Sequence, residues 1–139
     1  MTTRLWIDTS VLAHAAGGPH EQRDPCRRIV VAAASGGVEL HASVEMVQEL
    51  LFHRLRRVSR PEAVAQARFA ADLCVLHPFD AAVMSRALEL VAVSSLGGRD
   101  AVHAATALGA GFTEIVSSDR DFDAAPGLAR RDPTELRLG

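Results

Sequence analysis

The sequence predicts a three-layer α/β/α domain with a central, mainly parallel sheet. Short apolar segments with the length of strands alternate with helical patterns along the chain. These strand candidates are apolar throughout, as in parallel sheets that helices cover on both faces. The length of 139 residues and the hydrophobic share of 48% suit a packed core. We therefore expect one domain over residues 1–139.

The first segments read as strand, helix, helix and strand. A strand is predicted at 4–7, and a helix begins at Thr9 and stops at the Gly-Gly-Pro breaker of 17–19. A second helix is expected over 25–34, because proline suits a first turn and two glycines follow the end. The apolar residues of 38–41 then predict the second strand.

Ser43 is predicted to cap a long helix over residues 44–58. Apolar residues at helical spacing predict its core-facing stripe, which consists of Val44, Val47, Leu51, Leu55 and Val58. Another helix is expected to run from Pro61 through Ala71. A short strand at 74–76 follows it.

The last third of the chain repeats the alternation. Asp80 is predicted to cap a helix, and a second helix is expected over 99–108, after the Gly97-Gly98 pair. A strand at 114–117 leads into an acidic loop, and a last short strand is expected to begin at Leu128.

Four acidic residues stand where an open parallel sheet commonly has its site. Asp8 directly follows the first strand, Asp119 follows the 114–117 strand after one spacer, and Asp100 opens a helix. The carboxyl ends of parallel strands share one rim, so these side chains are expected to converge. Glu49, in the long helix, is the fourth candidate, although on a helical wheel it faces away from the apolar stripe, as a solvated residue would.

Each of these acids also has a structural explanation. Asp8 could cap the helix that follows it, and Asp100 could complement a helix dipole. The acids of the loop, Asp119, Asp121 and Asp123, could form Asx turns. Converging carboxylates repel one another, however, and need a cation unless some are protonated. An all-oxygen set favours Mg²⁺ or Mn²⁺, which serve in phosphoryl transfer.

Four sequence motifs resemble those of PIN-domain proteins and occur in the same order. They are Ile-Asp-Thr-Ser-Val-Leu at 7–12, Gln-Glu-Leu-Leu at 48–51, Gly-Arg-Asp-Ala-Val-His-Ala-Ala at 98–105 and Ser-Ser-Asp-Arg-Asp-Phe at 117–122. The chain length and the third motif resemble the VapC toxins, the ribonuclease halves of toxin–antitoxin pairs. The resemblance covers nearly the whole chain and implies a single PIN-like domain.

This resemblance implies Mg²⁺- or Mn²⁺-dependent endonucleolytic cleavage of RNA. It also implies a homodimer and inhibition by a cognate VapB-type antitoxin, through which alone the protein would meet DNA. The implied catalytic and metal-binding residues are Asp8, Glu49, Asp100 and Asp119. Supporting roles are implied for Ser117, Asp121 and Asp123. A metal held mainly by Asp8 and Asp100 would activate water for in-line attack on the phosphodiester.

Arginines near the acids offer contacts to RNA phosphates. The candidates are Arg54, Arg56, Arg57 and Arg99. The first three could instead form a solvated helix end that complements the helix dipole. His103 lies one helical turn beyond Asp100 and could reach the site or serve as a packed side chain.

The composition excludes several other classes of protein. A net charge of −2 excludes a generally basic coat, and six aromatic residues argue against extensive base stacking. Cys26 and Cys74 form no paired motif and are expected to be free buried thiols. Without a signal pattern or a membrane-length apolar run, we expect a cytoplasmic protein with no membrane contact. Two alternatives stay open: an RNA-processing nuclease without an antitoxin, and a catalytically silent RNA-binding module.

Overall fold

Five short strands and six α-helices alternate along residues 2–138, the part of the chain that the computed structural model describes. The strands are β1 Thr3–Trp6, β2 Val38–Ser43, β3 Cys74–His77, β4 Glu114–Val116 and β5 Ala129–Arg131. The helices are α1 Thr9–Ala16, α2 Arg23–Ala34, α3 Val44–Leu55, α4 Arg60–Leu73, α5 Ala81–Val93 and α6 Gly98–Gly109. The expected alternation is confirmed from the first strand to the last.

All strand pairs of the described chain are parallel. One sheet has the order β1-β2-β3, and β4 pairs with β5 in a second sheet. An isolated parallel bridge between Ile7 and Val116 joins the two, which gives the spatial order β3-β2-β1-β4-β5. We call this junction between β1 and β4 the seam. Every strand therefore ends at the same rim, where the acids were expected.

Two apolar cores lie on opposite faces of the strands. Ile7 belongs to the core that α1, α2, α3 and α4 cover, whereas its neighbour Trp6 belongs to the core formed with α5 and α6. This division follows from the alternation of side chains along a strand. The three-layer α/β/α architecture is thus confirmed.

Three predicted helix caps are present. Asp8, Ser43 and Asp80 accept hydrogen bonds from backbone N–H groups in the first turns of α1, α3 and α5. Each bond satisfies a donor that the helix itself leaves free. The caps place the start of α1 directly beyond β1, so the first acid lies at the rim.

The predicted stripe of α3 is not the buried face of the helix, although one of its members, the half-buried Val47, packs against the core. The buried residues of this helix are Met46, Leu50 and Arg54, whereas Val44 and Leu55 are exposed. Apolar residues occupy two faces of the helix, so helical spacing alone selected the outer one. The helix also ends at Leu55 instead of 58.

The segment after β4 is more ordered than the expected loop. Arg120–Ala124 forms a 3₁₀ helix, and its Phe122 side chain is fully buried.

Cys26 and Cys74 are free and buried, as predicted, and burial raises the pKa of each thiol to about 12. No single helix of residues 2–138 has the length and apolarity of a membrane span; α5 and α6 meet that criterion only as a pair bent by 120°.

Candidate metal centre and active site

Three carboxylates meet at the rim of the sheet. Asp100 in the first turn of α6 and Asp119 and Asp121 beyond β4 each offer an oxygen, and these oxygens lie within 4.8 Å of one another. We call this group the acid cluster. Asp100 and Asp119 are half-buried and Asp121 is exposed. The cluster therefore joins two predicted principal acids to one predicted supporting acid.

Asp8 lies beside the acid cluster in a buried position. Its side chain is buried, and it accepts hydrogen bonds from Ser10 N at 3.2 Å and Ser10 Oγ at 2.6 Å. Burial raises its pKa to about 6, although the bond from Ser10 opposes the rise and the charge of Asp119 adds to it. The cap and the metal-ligand interpretations of Asp8 are therefore compatible, because one carboxylate serves the cap and still interacts with the cluster.

A serine network fixes the two sides of the seam. The hydroxyl oxygens of Ser10 and Ser117 lie 3.4 Å apart, and Ser10 Oγ also accepts from Ser118 N at 3.3 Å. Ser117 Oγ accepts from Asp119 N at 2.9 Å. Ser117 thus holds the backbone from which Asp119 projects.

The donor set of the acid cluster fits a divalent cation. Burial, followed by the charges of Asp119 and Asp8, raises the pKa of Asp100 to about 6. A raised pKa of this kind shows that the neighbouring carboxylates repel one another, and a bound cation would offset that repulsion. All the donors are carboxylate oxygens, which suits a hard ion better than zinc.

Asp123 is turned to a different partner. Its oxygens accept hydrogen bonds from Arg130 Nε at 2.9 Å and Nη2 at 3.4 Å. Arg130 Nη1 in turn donates to the Ser117 carbonyl at 3.0 Å. Of the three loop acids, Asp119 and Asp121 join the acid cluster. Asp123 instead binds Arg130, which holds the backbone at Ser117.

Glu49 is paired with His103. The buried His103 Nε2 and Glu49 Oε1 form a hydrogen-bonded ion pair between α6 and α3. Burial is the largest single influence and opposes the charge of each group. The mutual hydrogen bond and the surrounding opposite charges together outweigh it, so the pKa of His103 is raised and that of Glu49 is lowered. Glu49 therefore faces inward, in contrast to the solvated face expected from the wrong stripe. The spacing of Asp100 and His103 was the available signal for this contact.

An open cleft of about 620 Å³ adjoins these acids between α1, α3 and α6. Arg56, Arg57 and Arg99 line it, together with Glu49. Arg54 does not line the cleft, so the RNA contact predicted for it is wrong. It is buried and donates to Gln66 Oε1 at 2.8 Å and to the Ala16 carbonyl at 3.4 Å. Its place on the inner face of α3 gives it a structural role.

Replacing Arg54 by leucine is expected to lower the free energy of unfolding by about 1–3 kcal/mol, because Gln66 and the Ala16 carbonyl lose a charged donor. Urea titration of purified protein measures the change. The control is Arg57→Leu, since Arg57 is exposed and should alter stability by less than about 0.5 kcal/mol. Equal losses in both variants would contradict the structural role.

Comparisons with known proteins agree with this geometry. The model of the PIN domain matches residues 5–128. The chain is 38% identical to Ribonuclease VapC7 of Mycobacterium tuberculosis over 119 residues, which cover 84% of this chain and 82% of the relative.

Two solved structures share the fold. VapC20 of Mycobacterium tuberculosis, a sarcin-ricin loop cleaving toxin, aligns with a TM-score of 0.71 at 20% identity, over 86% of this chain and 92% of its own. VapBC2 from Rickettsia felis, bound to a fragment of promoter DNA, aligns with a TM-score of 0.72 at 14% identity, over 93% of this chain and 98% of the matched chain.

Proposed function

The chain belongs to the PIN-domain family and to its VapC ribonucleases, the toxins of toxin–antitoxin systems, and we propose that it hydrolyses RNA phosphodiesters with Mg²⁺ or Mn²⁺ at the acid cluster. The observation that carries this proposal is the meeting of Asp100, Asp119 and Asp121 beside an arginine-lined cleft. An anionic polymer can lie in such a cleft with one phosphate over the carboxylates.

We assign the metal to Asp100, Asp119 and Asp121, with Asp8 adding its charge from the buried side. PIN-domain nucleases use divalent metals. When bound, the cation supplies an activated water and neutralises the charge that develops on the phosphate. The carboxylates would hold it in place. Ser10 Oγ donates to the Asp8 carboxylate, and Ser117 Oγ accepts from the backbone N–H of Asp119, which fixes the segment that bears this acid.

The remaining side chains orient the substrate. Glu49, held by His103, lines the cleft and is suited to positioning the attacking water. Arg56, Arg57 and Arg99 line the same cleft and neutralise the phosphates that flank the cleaved one. Hydrolysis adds water across one P–O bond and leaves a phosphate on one fragment and a hydroxyl on the other.

The proposal includes the partners of the family. We infer that a cognate VapB-type antitoxin inhibits the protein, that the protein acts as a homodimer in the cytoplasm, and that it meets DNA only through the antitoxin. An antitoxin whose co-expression removes the toxicity would distinguish a toxin from an RNA-processing nuclease. A catalytically silent RNA-binding module would bind RNA without cleaving it, so its expression would produce no new RNA ends.

Mapping RNA 5′ ends after induction of this chain tests the proposed function. We expect new 5′ ends at a limited set of positions, together with growth arrest. The matched control is Asp8→Asn, which retains the size of the side chain and its cap but removes the charge. Cleavage at the same positions and rate by this variant, or no new ends with the unaltered chain, would contradict the proposal.

A further inference from the structure

An exposed aromatic ring lies in the cleft beside the acids. Phe52 is 58% exposed, although a large apolar side chain normally avoids water. It lies on α3 one turn after Glu49 and lines the same cleft. Side chains three residues apart on a helix are neighbours at about 5–6 Å between Cβ atoms. Phe52 is therefore a neighbour of Glu49 in the cleft, which Arg99, the residue before Asp100, also lines.

The ring has a cationic neighbour at the residue that follows its helix. The Arg56 guanidinium lies over the Phe52 ring at 5.6 Å from the centroid. Such an arrangement is a cation–π contact, and both groups offer planar surfaces on which nucleobases stack. Arg57 and Arg99 supply further positive charge around the cleft.

We propose that Phe52 and Arg56 form a stacking subsite for a nucleobase next to the phosphate that is cleaved. The inference rests on the proposed function, since it places single-stranded RNA in the cleft. With a phosphate at the acid cluster, the flanking base would lie near α3. It would stack there on the exposed Phe52 ring, and the contact would shield the face of the base from water. The sequence predicted no extensive stacking, and one ring in the cleft agrees with a single stacked base.

The subsite would be selective for the presence of a base more than for its identity. Every base has a π-face, and the contact is worth about 1–3 kcal/mol per base. Hydrogen-bonding side chains of the cleft, such as Gln48, are available to add preference among bases. The stacking itself should thus set the affinity for single strands and place the backbone over the acids.

The test measures RNA binding with Asp100→Asn as the background, because this change should slow cleavage by at least about 100-fold. Fluorescence anisotropy compares a short oligoadenylate with a base-free ribose-phosphate oligomer that has the same number of phosphates. Phe52→Ala should weaken binding of oligoadenylate by about 5- to 150-fold and leave binding of the base-free oligomer unchanged. Phe52→Trp should restore affinity, whereas Phe52→Leu should not.

Phe69→Ala is the matched control. Phe69 is 52% exposed on α4 and does not line the cleft, so its removal should leave binding of both oligomers unchanged. Thermal unfolding of each variant reports whether it is folded. Because Phe52 is largely exposed, its replacement should shift the melting temperature by only a few degrees.

Two results of the RNA-binding measurements would overturn the stacking subsite without touching the proposed function. One is unchanged binding of oligoadenylate by Phe52→Ala while the unaltered chain still cleaves RNA. The other is an equal loss on the base-free oligomer, which would make the ring a structural element. A change only in antitoxin capture or in solution mass would assign Phe52 to a protein interface and also overturn it. The proposed function fails separately if the unaltered chain neither cleaves nor binds RNA.

Discussion

Replacing Asp100 by asparagine is expected to lower the rate of RNA cleavage by at least about 100-fold. Losing even an outer partner of a metal ligand commonly costs 10–100-fold in metal affinity or activity, and Asp100 is proposed as a direct ligand. The substitution removes one negative charge from a group whose oxygens lie within 4.8 Å of one another, with almost no change in volume. The effect should therefore come from the metal and not from packing.

Two measurements separate these causes. Calorimetric titration with Mn²⁺ should show weaker binding by Asp100→Asn, and cleavage assays should show that chelation abolishes the activity of the unaltered chain until Mg²⁺ or Mn²⁺ is returned. The matched control is Asp123→Asn, since Asp123 pairs with Arg130 instead of joining the acid cluster. A similar loss in both variants would show that the cluster has been assigned to the wrong acids.

Replacing Asp8 by asparagine is expected to stabilise the metal-free protein at pH 7 while it lowers the rate of cleavage by about 10- to 100-fold. Burial raises the pKa of this carboxyl from 3.8 to about 6. Ionising it in the folded chain therefore costs about 3 kcal/mol relative to the unfolded chain. Asparagine carries no charge and still accepts the cap bond in α1, so the melting temperature should rise by about 10 °C.

The pH dependence of this effect has a definite sign. Between about pH 4 and pH 6 the folded chain holds a proton on Asp8 that the unfolded chain has lost, so stability falls as pH rises through this window. The gain from Asp8→Asn should be absent at pH 4 and complete above pH 6. Urea titrations in the presence of a chelator at both ends of the window measure it.

An exposed cap provides the control for Asp8. Asp80 caps α5 by accepting from Val83 N at 2.9 Å, but it is exposed. Asp80→Asn should thus change stability by less than about 0.5 kcal/mol at either pH. If Asp8→Asn were neutral or destabilising at pH 7 in the metal-free protein, the buried charge would not be the cost that we infer.

Local sequence signals predicted the strands and their carboxyl-end acids well. Asp8 and Asp119 follow short apolar strands, and a parallel arrangement forces such ends onto one rim. Ser43 and Asp80 cap their helices as expected, because capping depends on neighbours in the chain. These features need no knowledge of which elements pack together.

The orientation of α3 was beyond such signals. Its apolar residues fall on two faces, and only contacts with α1, α4 and the sheet decide which face is buried. The wrong stripe turned Glu49 outward and Arg54 toward RNA, whereas the structure pairs Glu49 with His103 and buries Arg54 against Gln66. The choice among Asp119, Asp121 and Asp123 likewise depended on Arg130, an arginine of β5 that the sequence did not single out.

The seam has a consequence for how the protein opens. In the described chain the two sheets share the Ile7–Val116 bridge, and the serine network of the site crosses the same line. Any fluctuation that opens the seam between β1 and β4 also moves Asp8 away from Asp119, because these acids follow the two strands. Amide hydrogens at the seam should therefore exchange with solvent more slowly when metal is added, and cleavage should cease before either core melts. The rate of RNA cleavage would then report whether the seam between β1 and β4 is closed.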